Sequence, residues 1–286
     1  MNADENWMGQ SNYHAPFIGL YRRSSAARIL LATLVALAVL PPVSSLLAAD
    51  LPPKRYNCVR AGSAIRVDGK LNDAAWRRAA WTGWFLDIGG ASLPKPRFRT
   101  RVKMLWDDHY FYVAAELAEP AVWATLTEHD SVIFRDNDFE VFLNPTGDSL
   151  NYFEFEINAL NTGWDLFLPK PYRQGGKADN SWEIPGLLTA VSVHGTLNDS
   201  RDRDHGWSVE LAFPWSAFTV RSGVSRPEPG AEWRVNFSRV EWQVRTLNGQ
   251  YEKLPGLKED NWVWSPQGVV DMHRPERWGF VKFVTR

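Results

Sequence analysis

One cysteine, Cys58, stands in 286 residues, so the chain can close no disulfide on itself and can build no multi-cysteine metal site. It also lacks an excess of positive charge. Its 32 Lys+Arg against 33 Asp+Glu leave no basic footprint for nucleic acid. The 6 histidines include no HExxH and no pair at helical spacing, which leaves a catalytic zinc site of that kind without support. Neither GxSxG nor GxxxxGK[ST] occurs, so a serine-hydrolase elbow and a nucleotide loop are unsupported. The absence of CxxCH excludes covalent haem. Helical periodicity is scarce as well. What the chain does have is tryptophan: 15 residues, about four times ordinary usage. So many indoles either fill a large core or present a binding surface.

Residues 1–49 read as an N-terminal extension and signal peptide. Arg22, Arg23 and Arg28 precede an apolar run from Ile29 to Leu40. Pro41 and Pro42 break that run, and Leu47-Ala48-Ala49 supplies small residues before Asp50. The run is too short to span a bilayer unbroken. The chain is therefore expected to be exported, to the periplasm or beyond, with membrane attachment only through an uncleaved signal anchor. Residues 50–59 read as a linker, because Pro52 and Pro53 block helix and sheet pairing. Residues 60–286 show no compositional break and read as one domain.

Within that domain strand signals dominate. Arg99–Leu105 alternates polar and apolar residues, and with His109–Leu117 after the turn-like Trp106-Asp107-Asp108 it predicts a hairpin. Asp138–Leu143 and Tyr152–Asn158 predict a second hairpin across the Asn144–Asp148 turn cluster. Trp164–Leu168, Leu187–His194, Trp207–Phe213, Trp233–Val240 and Trp278–Val284 follow as further strands. A short helix is expected within Asn72–Ala80 and one helical turn over Pro214–Phe218. Many short strands with little helix predict an all-β fold, an antiparallel β-sandwich.

The most chemically loaded stretch is Asp136–Phe142. Period-two alternation puts Asp138, Glu140 and Phe142 on one face, and Glu154, Glu156 and Asn158 on one face of the next strand. Pairing would bring Glu140 near Glu156 or Asn158. Four readings of such a face stay open: a solvated strand, hydrogen bonding to sugar hydroxyls, a calcium site, or a glycosidase carboxylate pair. Trp76, Trp81, Trp84, Trp106, Trp207, Trp215 and Trp233 stand beside strand starts or apolar runs and read as core. Trp164, Trp182, Trp262 and Trp264 sit among Gly, Asn, Ser and Pro and are candidate binding indoles. His273, in a loop, is a candidate to face a pocket.

Five segments in order resemble carbohydrate-binding module family 9: Ile65–Trp76, Val102–Leu117, Asp136–Pro145, Gly206–Phe218 and Arg274–Phe283. The resemblance spans about residues 60–284, in a stand-alone form found among exported bacterial proteins. It implies an immunoglobulin-like or DOMON-like sandwich that binds a polysaccharide or oligosaccharide without catalysis. It also implies a sugar held between two aromatic walls, and calcium as a possible structural ion with no cofactor required. Glu140 and Asn158 match sugar-contacting positions. The first wall falls on Phe134. The second falls on Met272, with Trp262 or Trp264 as a replacement. Other readings of the chain are a glycoside hydrolase or a hydrolase-associated module, a haem domain using Met272 or His273, and a ligand-free envelope protein.

Overall fold

A computed structural model describes residues 51–285. The extension and signal peptide expected over residues 1–49 lie outside the described residues. The strands run in chain order as β1 (Arg55–Arg60), β2 (Leu86–Asp87), β3 (Thr100–Trp106), β4 (Tyr110–Ala118), β5 (Asp138–Asn144), β6 (Tyr152–Asn158) and β7 (Gly163–Leu168). They continue as β8 (Leu188–His194), β9 (Gly206–Pro214), β10 (Glu232–Glu241), β11 (Val244–Leu247), β12 (Gln250–Lys253), β13 (Asp260–Val263) and β14 (Gly279–Val284). An α-helix, α1 (Trp215–Ser222), follows β9.

The hydrogen-bonded order is β7-β6-β5-β10-β14-β1-β3-β4-β9-β8, with β13 branching from β10 and β2 from β13. This sheet curls until its two halves face each other as a sandwich. The inner faces meet in one apolar cluster. Phe139, Val141, Phe153 and Phe155 come from one half, and Met104, Phe111, Val113, Val209 and Phe213 from the other. Phe155 on β6 meets Phe213 on β9 edge-on, ring centres 6.0 Å apart. The pairing is antiparallel except at β1, which lies parallel to both β14 and β3.

That strand corrects the linker expectation at its C-terminal end. Beyond the two prolines, Tyr56 and Cys58 alternate inward and are buried, so Arg55–Arg60 joins the sheet. The helix expected over Asn72–Ala80 is a single 3-10 turn, Ala74–Arg78. Trp76 pins it by donating its indole N–H to Glu210 at 2.7 Å. The hairpin β11–β12 and strand β13 were not predicted. Exposed Arg245 and Glu252 pair across the hairpin at 2.8 Å, so polar contacts rather than apolar alternation define it.

Gly206 opens β9 at φ +139°, and a Cβ there would stand 2.0 Å from the Leu117 carbonyl oxygen. That atom belongs to a β4 backbone paired along the whole of β9 and cannot step aside. Gly206→Ala is expected to cost about 2–3 kcal/mol in thermal or denaturant unfolding. A variant as stable as the parent would contradict the close approach.

Candidate functional site

Cross-strand register builds a row on the outer face of the β7-β6-β5-β10 half. Trp164 lies opposite Glu156, Glu156 opposite Glu140, and Glu140 opposite Ser238. Period-two alternation makes this the face opposite Phe139, Phe155 and Phe237, which are in the core. The next row holds Leu166, Glu154, Phe142 and Asn236. The sheet thus brings Glu140 beside Glu156, one of the two neighbours that alternation predicted.

These carboxylates are not a solvated strand face. Asp138, Glu140, Glu154 and Glu156 are all buried, at 0–5% exposure. Single carboxylate oxygens of Asp138, Glu140 and Glu156 lie within 4.8 Å of one another. One oxygen of Asp138 accepts the Val240 N–H at 3.0 Å, and the other has no hydrogen-bond partner. Burial, then mutual repulsion with Glu140, holds the Asp138, Glu154 and Glu156 carboxyls well above their ordinary range. Burial pushes Glu140 up to about 7. The three carboxylates of Asp138, Glu140 and Glu156 are grouped closely enough to hold a metal ion.

Protonation of Glu140 has a thermodynamic signature. Its folded value lies above its unfolded one, so the folded state binds more protons between about pH 4.5 and 7. The stability it contributes is present below that window and lost as pH rises through it. In EDTA, wild-type Tm is therefore expected to fall relative to Glu140→Gln across the window, the gap levelling off above pH 7. A gap that ignores pH, or runs the other way, would contradict a protonated Glu140.

The aromatics sort differently from the sequence expectation. Phe134 is exposed, in the 3-10 turn Ile133–Arg135, and its backbone N–H donates to Glu156 at 2.9 Å. Its ring lies 6.2 Å from the half-buried Trp164, tilted by 35°. Trp242 braces the same turn through an indole N–H to the Phe134 carbonyl at 2.9 Å. Phe134 and Trp164 thus form one aromatic surface at the end of the carboxylate row.

Trp262 and Trp264 do not provide a wall. Both are buried: Trp262 lies in β13 against Phe98, and Trp264 packs on Phe237 with its ring filling the space where Gly279 lacks a Cβ. Trp182 is buried against Phe153. Met272 is buried too, in an apolar cluster with Ile88, Phe142 and Trp278, so it presents no face to a ligand. Asn158 is fully buried and serves structure, bonding the Leu126 carbonyl at 2.8 Å and Asp136 at 3.1 Å. Among the indoles expected in the core, Trp84 is exposed and lies beneath the Arg101 guanidinium, 4.8 Å away.

His273 is half-buried. Its Nδ1 lies 3.1 Å from the Tyr152 hydroxyl, and its ring meets the exposed Tyr172 edge-on at 4.5 Å. Burial holds its value down at about 4, so it is neutral at pH 7. Tyr172 escaped sequence reasoning; only its neighbourhood of Pro171 and Gly175 marks it as a loop aromatic. With Nδ1 at the Tyr152 hydroxyl and Met272 packed in the apolar cluster, the geometry gives no support to a haem pocket.

Comparisons with known proteins agree with this frame. The family model described as "Carbohydrate family 9 binding domain-like" matches residues 67–236, more than half of the chain. Two curated relatives are 24% identical over 160 residues: Exoglucanase XynX of Acetivibrio thermocellus and Endo-1,4-beta-xylanase A of Thermoanaerobacterium saccharolyticum. The matches take in 55% of this chain but only 12% and 11% of those proteins. Among solved structures, a family 9 carbohydrate binding module from Caldicellulosiruptor kristjanssonii in complex with cellotriose aligns at TM-score 0.53. It is 16% identical and covers 82% of this chain and 95% of its own. A protein of known structure from Bacteroides uniformis aligns at TM-score 0.59 with 16% identity, covering 80% of this chain and 99% of its own.

Proposed function

The chain belongs to the carbohydrate family 9 binding domain-like family, and from that premise we propose that it is an exported, non-catalytic saccharide-binding protein acting in polysaccharide breakdown. The observation that carries the proposal is the row Trp164–Glu156–Glu140, with Phe134 docked over it by its N–H to Glu156. The apolar face of a pyranose ring stacks on Phe134 and Trp164. Burial of that face, together with oriented polar contacts, supplies the affinity. Glu140, poised near neutrality, donates a hydrogen bond when protonated and accepts one when ionised. Binding of this kind gains from a few oriented groups rather than from area.

Two neighbours of the fold support the choice of ligand class. The Caldicellulosiruptor kristjanssonii module was solved with cellotriose and also with glucose. Glucose-based oligosaccharides are therefore the first probes. Hydrolysis gains no support from the carboxylates, which are buried at 0–5% exposure rather than flanking an open cleft. Export rests on the leader reading of residues 1–49 alone.

The test pairs two assays on one preparation. Cello- and xylo-oligosaccharides are titrated while tryptophan fluorescence is followed, and the same mixtures are assayed for reducing ends. Saturable change without sugar release is expected. Release that is lost in Glu140→Gln would establish the hydrolase instead.

A further inference from the structure

A second cluster lies outside the carboxylate row. Three segments converge there: the loop Glu128–Ser131, strand β7 at Asp165, and the loop after Trp182 at Glu183. The Nε2 of His129 stands 3.0 Å from Glu183 Oε2, 3.3 Å from Asp165 Oδ1 and 3.4 Å from Asp130 Oδ1. All four donor atoms fall within 4.8 Å of one another.

Hydrogen bonding does not satisfy this arrangement. An imidazole Nε2 carries at most one hydrogen, and three carboxylates surround it. Glu183 is the one within hydrogen-bond geometry of it. Asp165 Oδ1 and Asp130 Oδ1 are buried atoms with no hydrogen-bond partner, and the Asp165 residue is only 2% exposed. The other oxygen of Asp165 accepts the Ile184 N–H, which aims Oδ1 into the cluster. Leaving a buried carboxylate oxygen unpaired is costly unless something else meets it.

We propose that His129, Asp130, Asp165 and Glu183 form a binding site for a divalent transition-metal ion of the zinc type. The donor set of one imidazole and three carboxylates suits zinc, whereas calcium takes oxygen donors. The spacing suits it too. Tetrahedral bonds of about 2.0–2.1 Å put neighbouring donors about 3.3–3.4 Å apart, and the three distances from Nε2 are 3.0, 3.3 and 3.4 Å. The ion replaces the missing hydrogen-bond partners and neutralises the excess carboxylate charge. It also ties the loop leading into Phe134 to the strand that carries Trp164, so it braces the aromatic surface from behind. The site itself stands whether or not that surface binds sugar.

The experiment uses the full chain without a histidine tag, stripped with chelator and then titrated with Zn²⁺ alone and with Co²⁺ alone. One Zn²⁺ per chain is expected, with a rise in Tm, and Co²⁺ should give the intense visible bands of four-coordinate nitrogen and oxygen ligation. His129→Ala removes an exposed side chain and should abolish both while leaving the near-ultraviolet circular dichroism unchanged. Asp165→Asn should weaken Zn²⁺ by more than tenfold, and Glu183→Gln by less. Absence of stoichiometric uptake by the parent chain would overturn the proposal. So would equal uptake and an equal Co²⁺ spectrum in His129→Ala, which would send the ion to the Asp138–Glu140–Glu156 carboxylates instead.

Discussion

Replacing Arg239 with alanine is expected to cost about 3–5 kcal/mol of folding stability, because it strands two buried carboxylates. Arg239 sits on β10 with no exposed surface. Its Nη2 reaches Glu119 at 2.6 Å and Glu241 at 2.7 Å, and its Nε reaches Glu241 again at 3.1 Å. Nη1 donates to Thr100 Oγ1 at 3.1 Å and to the Ala118 carbonyl at 2.9 Å. Trp262 lies 5.3 Å from the guanidinium carbon, so the cation is held against an aromatic face as well. Glu119 and Glu241 are themselves buried, at 3% and 2% exposure, and burial holds the Glu241 carboxyl well above its ordinary range despite the cation.

The network joins β10 to the end of β4 and so fastens one half of the curled sheet to the other. Without the cation, two buried carboxylates lose their shared partner. Arg239→Met keeps most of the stem and should lose nearly as much stability, which separates charge from packing. Adding Glu119→Gln and Glu241→Gln to Arg239→Met should recover a large part of the loss, since removing every charge is far cheaper than removing one. Denaturant unfolding measures all three. A loss below about 1 kcal/mol in Arg239→Ala would contradict the network's role.

This network was invisible in the sequence, and the reason is physical. Glu119 and Arg239 are 120 residues apart and meet only when the sheet curls. What the sequence did expose was local. Patterning in Arg99–Leu117 and Asp138–Asn158 gave two hairpins and narrowed the neighbour of Glu140 to Glu156 or Asn158, because period-two alternation and a tight turn constrain register over short distances; the structure selects Glu156. Indoles in polar company were harder to place. Trp262 and Trp264 sit among Asn, Ser and Pro yet are buried, since β13 folds back onto β10 with Trp262 and sets Trp264, just beyond it, against Phe237. Trp164 stands in the same kind of company and keeps part of its ring open. Phe134 came from resemblance alone; its own surroundings, Ile133 and Arg135, gave no hint of exposure. The His129 cluster has no motif spacing because its donors come from three separate segments.

Phe134→Ala is the second large effect. Phe134 is the exposed half of the aromatic pair, and its backbone rather than its ring holds the turn, through Glu156 and Trp242. Truncating the ring therefore removes stacking area and leaves the scaffold. Central aromatic contacts of this kind are worth about 2 kcal/mol or more, which is roughly a 30-fold loss of affinity. Trp164→Ala should weaken binding to a similar degree, but it also removes packing against the cluster of Ile88, Phe142, Leu166 and Trp278 and so lowers Tm; Phe134→Ala should not.

A saccharide site at Phe134 and Trp164 is decided by calorimetric titration of cello-oligosaccharides into the parent chain and into Phe134→Ala, side by side with their melting curves. Saturable one-site binding by the parent chain, at least tenfold weaker binding by the variant, and equal Tm are expected. Equal affinity in the two proteins, or no binding by a folded parent across cello- and xylo-oligosaccharides, would contradict a saccharide site at Phe134 and Trp164.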